Sequence, residues 1–255
     1  MMKITFLGTG TSTGVPIIAC TCATCLSDNP KDQRLRTALL LEYNGTHIAI
    51  DIGPDFRQQM LRAKVSTLDA ILITHEHKDH TGGLDDVRPF NLWSKKAMPV
   101  YATKEVQTIL KQQYSYIFSA EAYPGAPRID LISIDKNTPF EINSLPIVPI
   151  EVIHGKLPVL GFRIHNFTYI TDAKYISNQE LEKIKGTEYL VLNALHQTEH
   201  WSHLNLKEAI ALAEYLQPKH TYFTHVSHRM GKHDEAQATL PPNISIAYDG
   251  LVLEV

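Results

Sequence analysis

The chain has little of what disulfide frameworks, membrane anchors or nucleic-acid platforms are built from. Only three cysteines occur in 255 residues, and all of them, Cys20, Cys22 and Cys25, crowd into ACTCATC. An odd number so closely spaced excludes a disulfide scaffold and suits metal binding. No apolar run approaches the roughly 20 residues that span a bilayer, so no membrane partner is expected. The opening MMKITFLGTG holds one lysine and too short an apolar stretch for a secretory signal, which makes the cytoplasm the expected compartment. A formal net charge of -3 with no long Lys/Arg run leaves no electrostatic footprint for nucleic acid. What remains is 44% hydrophobic content in a chain long enough to bury a sizeable core, read as one domain over residues 1–255.

Short apolar stretches alternate with helical patterns between Gly, Pro and Asn-Gly punctuation, which predicts an α/β fold. Lys3–Leu7, then Thr37–Tyr43 and Thr46–Ile50 around the turn dipeptide Asn44-Gly45, predict an initial β-meander. Asp55–Ala63 predicts a helix and Ala70–Ile73 a buried strand. The stretch 84–127 mixes helical pieces with Pro- and Tyr-rich loops and is read as a cover over a site. Strands are expected at Ile129–Ile134, Ile147–Ile153, Gly161–Ile164, Thr168–Ile170, Tyr189–Leu195 and Thr221–Thr224. Ile244–Tyr248 and Leu251–Val255 are expected to close the chain as a hairpin through Asp249-Gly250. Ser177 with Glu180, and Asn205 with Glu208, are capping signals that start two helices.

The densest chemistry is THEHKDH, Thr74 to His80, directly behind the apolar run Ala70-Ile71-Leu72-Ile73. His75 and His77, two apart, face one side if the extended conformation persists. Asp79 and His80 follow where Thr81-Gly82-Gly83 turns the chain, so one loop presents four groups in two differently directed pairs, enough for two adjacent ions. Imidazole and carboxylate suit zinc, or manganese and iron where oxygen ligands predominate. Polar residues ending other strands would complete the set: His154 after Ile147–Ile153, Asp172 in FTYITDA and His225 in TYFTHVSH. Taken singly, each is more often an ordinary strand-end side chain than a ligand; jointly they point to a site.

The pattern H-x-H-x-D-H at His75, His77, Asp79 and His80, with His154, the Asp172 of TDA and the His225 of FTHVSH, strongly resembles the metallo-β-lactamase superfamily over nearly the whole chain. The resemblance implies an αββα sandwich with its site at one edge. It implies one ion held by His75, His77 and His154, a second by Asp79, His80 and His225, and Asp172 bridging the two. Asp51-Ile52-Gly53 matches an element that supports the site rather than ligating. Di-iron redox members resemble H-x-E-x-D-H, so the imidazole at His77 favours hydrolysis over electron transfer. The lactamases proper lack the bridging pattern at Asp172 and are generally exported, which disfavours a drug-hydrolysing role. FLGTGTSTGVP, C-x-C-x-x-C and the late TH-x-SH are most similar to the phosphoribosyl cyclic phosphate phosphodiesterases of the carbon-phosphorus lyase pathway.

That branch implies a small phosphate-ester substrate, two divalent catalytic ions, zinc or manganese, about 3.5–4 Å apart, and attack by a water they acidify. His203 in HWSHLNLKEA matches a position where the branch carries a histidine suited to phosphate contact or general-acid work, with His200 as its rival. Asp79 and Asp172 join it in the expected catalytic set. His47, His165, His196, His220 and His233 are read as ordinary side chains. Cys20, Cys22 and Cys25 offer three thiolates to a separate tetrahedral structural zinc; His228, three residues beyond His225, is the expected fourth ligand, and the resemblance points to it as well. Two rival functions are a tRNA 3′-end nuclease, which wants a basic arm that 84–127 does not supply, and a non-hydrolytic protein resembling the pyrroloquinoline quinone biosynthesis member. Intact Asp79, His80 and Asp172 argue against the latter. The oligomeric state stays open, a homodimer included.

Overall fold

In the computed structural model, which describes residues 1–119 and 123–255, fourteen strands form two seven-stranded sheets. In the first, β1 (Met2–Gly8), β2 (Ala38–Tyr43) and β3 (Thr46–Ile50) are antiparallel, and β4 (Ala70–Leu72), β5 (Met98–Ala102) and β6 (Ile129–Ser133) continue parallel to β3. The second repeats the plan: β7 (Phe140–Ile142), β8 (Leu145–His154), β9 (Leu157–Ile164) and β10 (Phe167–Tyr169) are antiparallel, then β11 (Tyr189–Asn193), β12 (His220–Thr224) and β13 (Ile244–Ile246) run parallel. The last strand, β14 (Val252–Glu254), returns to the first sheet beside β1.

The pleat of β2 and β3 sends Leu39, Leu41, Ile48 and Ile50 between the sheets, into a core shared with Leu160, Phe162, Phe167 and Tyr169. It sends Ala38, Leu40 and Ala49 to the opposite face, under Phe56 and Met60 of helix α1 (Phe56–Ala63). Both faces are buried, which is why these strands read as unbroken apolar runs. Short helix α2 (Lys78–Thr81) lies at the sheet edge. Helices α3 (Arg88–Ser94), α4 (Lys104–Gln113) and α5 (Ser115–Phe118) extend the outer layer of the first sheet, where Val106, Leu110 and Ile117 join its core. Helices α6 (Asn178–Ile184) and α7 (Leu206–Leu216) cover the second sheet through Ile184, Leu206, Ala209 and Ala213, and α8 (His233–Gln237) follows through Ala236. The layers are those of the αββα sandwich. Among the described residues no helix is long and apolar enough to cross a membrane.

The last two strands do not form the expected hairpin, because β13 pairs with β12 in one sheet and β14 with β1 in the other. The turn between them is tied outward. The buried Asp249 carboxylate accepts from Thr9 Oγ1 and from the Leu35 amide, both at 2.8 Å, and the Gly250 amide donates to the Phe6 carbonyl at 2.8 Å. The stretch 84–127 contributes β5 to the interior of the first sheet, an assignment that Pro99 obscures in the sequence. Its helices pack on that sheet's outer face, and its residues 120–122 lie outside the described residues. Asn205 and Glu208 form a complete capping box, whereas at the other cap only Ser177 acts. The Glu180 carboxylate turns away to accept the Glu151 amide at 2.9 Å and to pair with Lys183 at 2.8 Å.

Candidate metal centre and cysteine site

The residues that end β3, β4, β8, β10 and β12 meet at one edge of the sandwich. The extended chain stops at Leu72, and His77 is already the N-cap of α2, so the THEHKDH loop folds back instead of continuing as a strand. Gly53 permits this fold: a Cβ there would stand 2.1 Å from the Asp79 carbonyl oxygen. The Ile52 amide donates to the His80 carbonyl at 2.8 Å, locking the two loops together.

Three of the buried histidines, His75, His80 and His154, are oriented through Nδ1. His80 donates from Nδ1 to Asp51 Oδ2 at 2.6 Å, and His154 donates from Nδ1 to the Ser202 carbonyl at 2.8 Å. The Thr74 hydroxyl donates to Asp51 and accepts from His75 Nδ1 at 3.0 Å. All three rings thereby present Nε2 to one space, the arrangement by which outer partners fix the tautomer of ligating histidines. Asp51, Asp172 and His225 all take left-handed backbone conformations, with φ of 63°, 56° and 56°. Strained backbone of this kind costs of order 1–3 kcal/mol per residue and gathers at functional sites.

Asp172 is the hub. Its Oδ2 stands 3.2 Å from His80 Nε2, and its Oδ1 stands 3.3 Å from His225 Nε2 and 3.9 Å from His154 Nε2. Asp79 Oδ2 lies 3.2 Å from His80 Nε2 and 3.6 Å from His225 Nε2, and His75 Nε2 lies 2.9 Å from His77 Nδ1. Ligand nitrogens about 2.0–2.1 Å from one tetrahedral ion are about 3.3 Å apart, the scale of these separations. Within this cluster His80 Nε2 and both His225 nitrogens are buried without a hydrogen-bond partner. Burial alone would strip His80 of its proton, but Asp51, Asp172 and Asp79 push its pKa well above the ordinary imidazole value. Burial also opposes the charge of Asp172, yet His225 and His80 hold that carboxyl well below its usual range. Burial keeps His75 and His154 neutral, the ligating form. Acids that draw a proton onto a buried imidazole, beside nitrogens with nothing to bind, suit divalent cations.

All seven residues singled out for this centre come together, with His77 the most exposed. His203 comes closer than a distant acid would, with Nδ1 3.7 Å from Asp172 Oδ1 and its ring 4.4 Å from that of His154. His200 stands further out, 5.2 Å from the His203 ring, with its Nδ1 accepting from the Ser202 amide at 3.3 Å. Sequence reasoning missed Thr74, whose only signal was a hydroxyl residue beside a histidine, and Ser202, which acts through its backbone carbonyl and gave none. Among the remaining histidines, His47 meets Thr67, His220 meets Ser245 and His233 meets the buried Arg34. Asp51→Ala, which strips His80 of its orienting acceptor, is expected to weaken metal binding about 10- to 100-fold. Metal content after dialysis against graded chelator checks this; unchanged affinity would show that Asp51 does not position His80.

The three cysteines form a second cluster. Their Sγ atoms stand 3.3, 3.3 and 3.6 Å from His228 Nδ1, for Cys20, Cys22 and Cys25 in turn. A tetrahedral zinc with Zn–S of about 2.3 Å and Zn–N of about 2.0–2.1 Å sets S···N near 3.5 Å. The Cys25 amide donates to Cys22 Sγ at 3.5 Å and the Ile17 amide to Cys25 Sγ at 3.4 Å. The Cys25 amide and His228 lower the Cys22 thiol to about 6, while burial and the neighbouring sulfurs raise Cys25 to about 11. Cys20, Cys22, Cys25 and His228 lie close enough together to share one metal ion.

A strand-end cluster of His and Asp on an αββα sandwich is the arrangement of the metallo-β-lactamase fold. Residues 46–226 match the beta-lactamase superfamily domain, and the chain belongs to that superfamily. Within it the chain falls in the PhnP family: the crystal structure of a new diphosphatase from that family is 38% identical, with a TM-score of 0.93 over 100% of this chain and 98% of the other. The octanoyltransferase of Porphyromonas gingivalis is 40% identical over 98% of this chain and 51% of its own length. The ribonuclease Z of Staphylococcus epidermidis is 28% identical over 64% of this chain and 49% of its own. The chain thus spans about half the length of these curated relatives.

Proposed function

We propose that the chain is a binuclear-metal phosphodiesterase of small phosphate esters, cyclic phosphates of the phosphoribosyl type included. The observation that carries this reading is the convergence of His75, His77, His154, Asp79, His80, His225 and Asp172 around partnerless buried nitrogens. His75, His77 and His154 would hold one ion, Asp79, His80 and His225 the other, and Asp172 both. Divalent ions, zinc or manganese, would acidify a water and draw charge from the phosphoryl oxygens. Asp51, Thr74 and the Ser202 carbonyl hold the imidazoles in register. The diphosphatase name of the similar crystal structure supports a phosphoryl group as the one attacked.

His203 serves the leaving oxygen. Burial first, and then His225, lower its pKa to about 2, so its ring is neutral before substrate arrives. The negative phosphate ester would raise the ring's proton affinity, so that His203 takes a proton from solvent and, as imidazolium, gives it to the alkoxide as the ester bond breaks, returning to the neutral ring. A tRNA nuclease is disfavoured by the lack of a basic arm in 84–127. The octanoyltransferase name is given to a protein about twice as long, so acyl transfer enters only as a control assay.

The purified protein should hydrolyse bis-nitrophenyl phosphate and open ribosyl or nucleoside cyclic phosphates, lose activity to chelators and regain it with zinc or manganese. Specific trimming of precursor tRNA, or hydrolysis indifferent to chelation, would overturn the reading. His203→Ala should keep its metal yet slow the alkoxide-leaving substrates about 10²-fold or more, with a smaller loss on the nitrophenyl ester, whose leaving group needs no proton. Equal losses on both would remove His203 from the acid role.

A further inference from the structure

The loop from β11 to α7 passes over the mouth of the centre, carrying His200, Trp201, Ser202 and His203 in succession. Ser202 and His203 are buried, whereas Trp201 is 73% exposed. Exposure of one indole is ordinary in itself; its location is what distinguishes it. The ring lies nearly parallel to that of His154, at 21° and 6.5 Å between centroids, and beside His200 at 6.2 Å. It also roofs Gly155, where a Cβ would stand 2.2 Å from the indole Cζ3 and where φ is +62°. One face of the indole is therefore seated on the His154-Gly155 turn and the rest is in water. The seat is fixed, since the backbone one residue on accepts the His154 Nδ1–H at 2.8 Å. The other tryptophan, Trp93, lies on α3 in the outer layer, away from this edge.

A rigid aromatic plate attached to a candidate metal ligand, open on one side at the entrance, is the arrangement on which a planar ring stacks. Such stacking tolerates any nucleobase, because every base has a π-face. We propose that Trp201 is a stacking platform and specificity-determining residue that selects phosphate esters carrying a nucleobase. The inference rests on the phosphodiesterase reading and narrows its substrate class from small phosphate esters to nucleoside-type ones. The phosphoryl group would sit among Asp172, His154 and His203, and the base one sugar away on the indole.

The test compares wild type, Trp201→Ala and Trp201→Phe on a nucleoside 2′,3′-cyclic phosphate and on a ribosyl cyclic phosphate that lacks a base. Loss of the plate should raise KM for the base-bearing ester about 5- to 100-fold, at least five times more than for the base-free one, and phenylalanine should recover most of the difference. In a Trp93→Phe background, where Trp201 is the sole indole, adenosine monophosphate should quench fluorescence saturably and ribose 5-phosphate should not. Parallel KM changes on both esters, or no quenching, would reduce Trp201 to a roof over Gly155 and overturn the inference while leaving the phosphodiesterase reading intact. If wild type hydrolyses neither ester, the phosphodiesterase reading falls, and the quenching result alone decides for or against the platform.

Discussion

Asp172→Ala is expected to lose the hydrolytic rate by about 10³-fold or more, because it removes the one carboxylate that faces both halves of the centre. Removing a single preorganised electrostatic group costs about 10²–10³ in rate; this group faces His80 through one oxygen and His225 and His154 through the other. The protein should still fold, since the side chain removed contributes no apolar packing and Asp51 and Asp79 still face the His80 it leaves. Metal content should fall from two catalytic equivalents to one or none. Asp172→Asn preserves shape and removes charge, so it separates the two contributions: a loss nearly as large is expected, because a neutral amide cannot balance two dications. Thermal denaturation establishes folding, elemental analysis counts the metal, and initial rates on bis-nitrophenyl phosphate give the loss. Full activity with alanine, or a full metal complement and rate with asparagine, would end the binuclear assignment.

The sandwich and most of its centre were legible in the sequence for one physical reason: ligands stand where apolar strands end. Such ends are visible without any knowledge of pairing, and His154, Asp172 and His225 were all marked this way. Sheet membership was less visible. β13 and β14 read as a hairpin because Asp249-Gly250 is a strong local turn signal, yet the buried bonds of Asp249 to Thr9 and Leu35, more than two hundred residues away in sequence, carry the chain into the other sheet. β5 was hidden by Pro99: Met98, Val100 and Ala102 are buried while Pro99 and Tyr101 on the other face are half-buried but not charged, so no polar residue marks the alternation in the sequence. The parts of the centre with no sequence signal are those made by backbone: the Ser202 carbonyl that orients His154, and the left-handed turns at Asp51, Asp172 and His225. Likewise Trp201 could not be distinguished from any other exposed aromatic until Gly155 and His154 were seen beneath it.

Cys22→Ser and His228→Ala should each lose one metal equivalent, distinct from the catalytic pair, with a large fall in thermal stability. The segment concerned, residues 9–37, is a long excursion between β1 and β2 with little regular structure, and such a segment has few apolar contacts to hold it. Polar bonds attach it to the second half of the chain: Gly10 bridges to Val226, the Val226 amide donates to the Thr9 carbonyl at 2.9 Å, the Thr37 hydroxyl meets that of Thr224 at 2.7 Å, buried Arg34 donates to the Ala247 carbonyl at 2.6 Å, and Asp32 accepts from the His233 amide at 2.7 Å. The cysteine cluster, closing on His228, is a further tie between the loop and the end of β12. Loss of a structural metal belongs with the changes that exceed about 4 kcal/mol, and at this chain length each kcal/mol is worth about 2–4 °C, so the midpoint should fall by about 10 °C or more. Cys22→Ser also removes a thiol that the Cys25 amide and His228 lower to about 6, mostly the ligating thiolate at neutral pH. His225, three residues before His228, should keep its place in the catalytic centre at moderate temperature, so both variants should retain the catalytic ions and measurable hydrolysis. X-ray absorption of the wild type should show zinc–sulfur distances near ~2.3 Å that both variants lose. Variants that retain every metal equivalent, or a wild-type spectrum without zinc–sulfur scattering, would show that the three thiols and His228 meet without an ion between them.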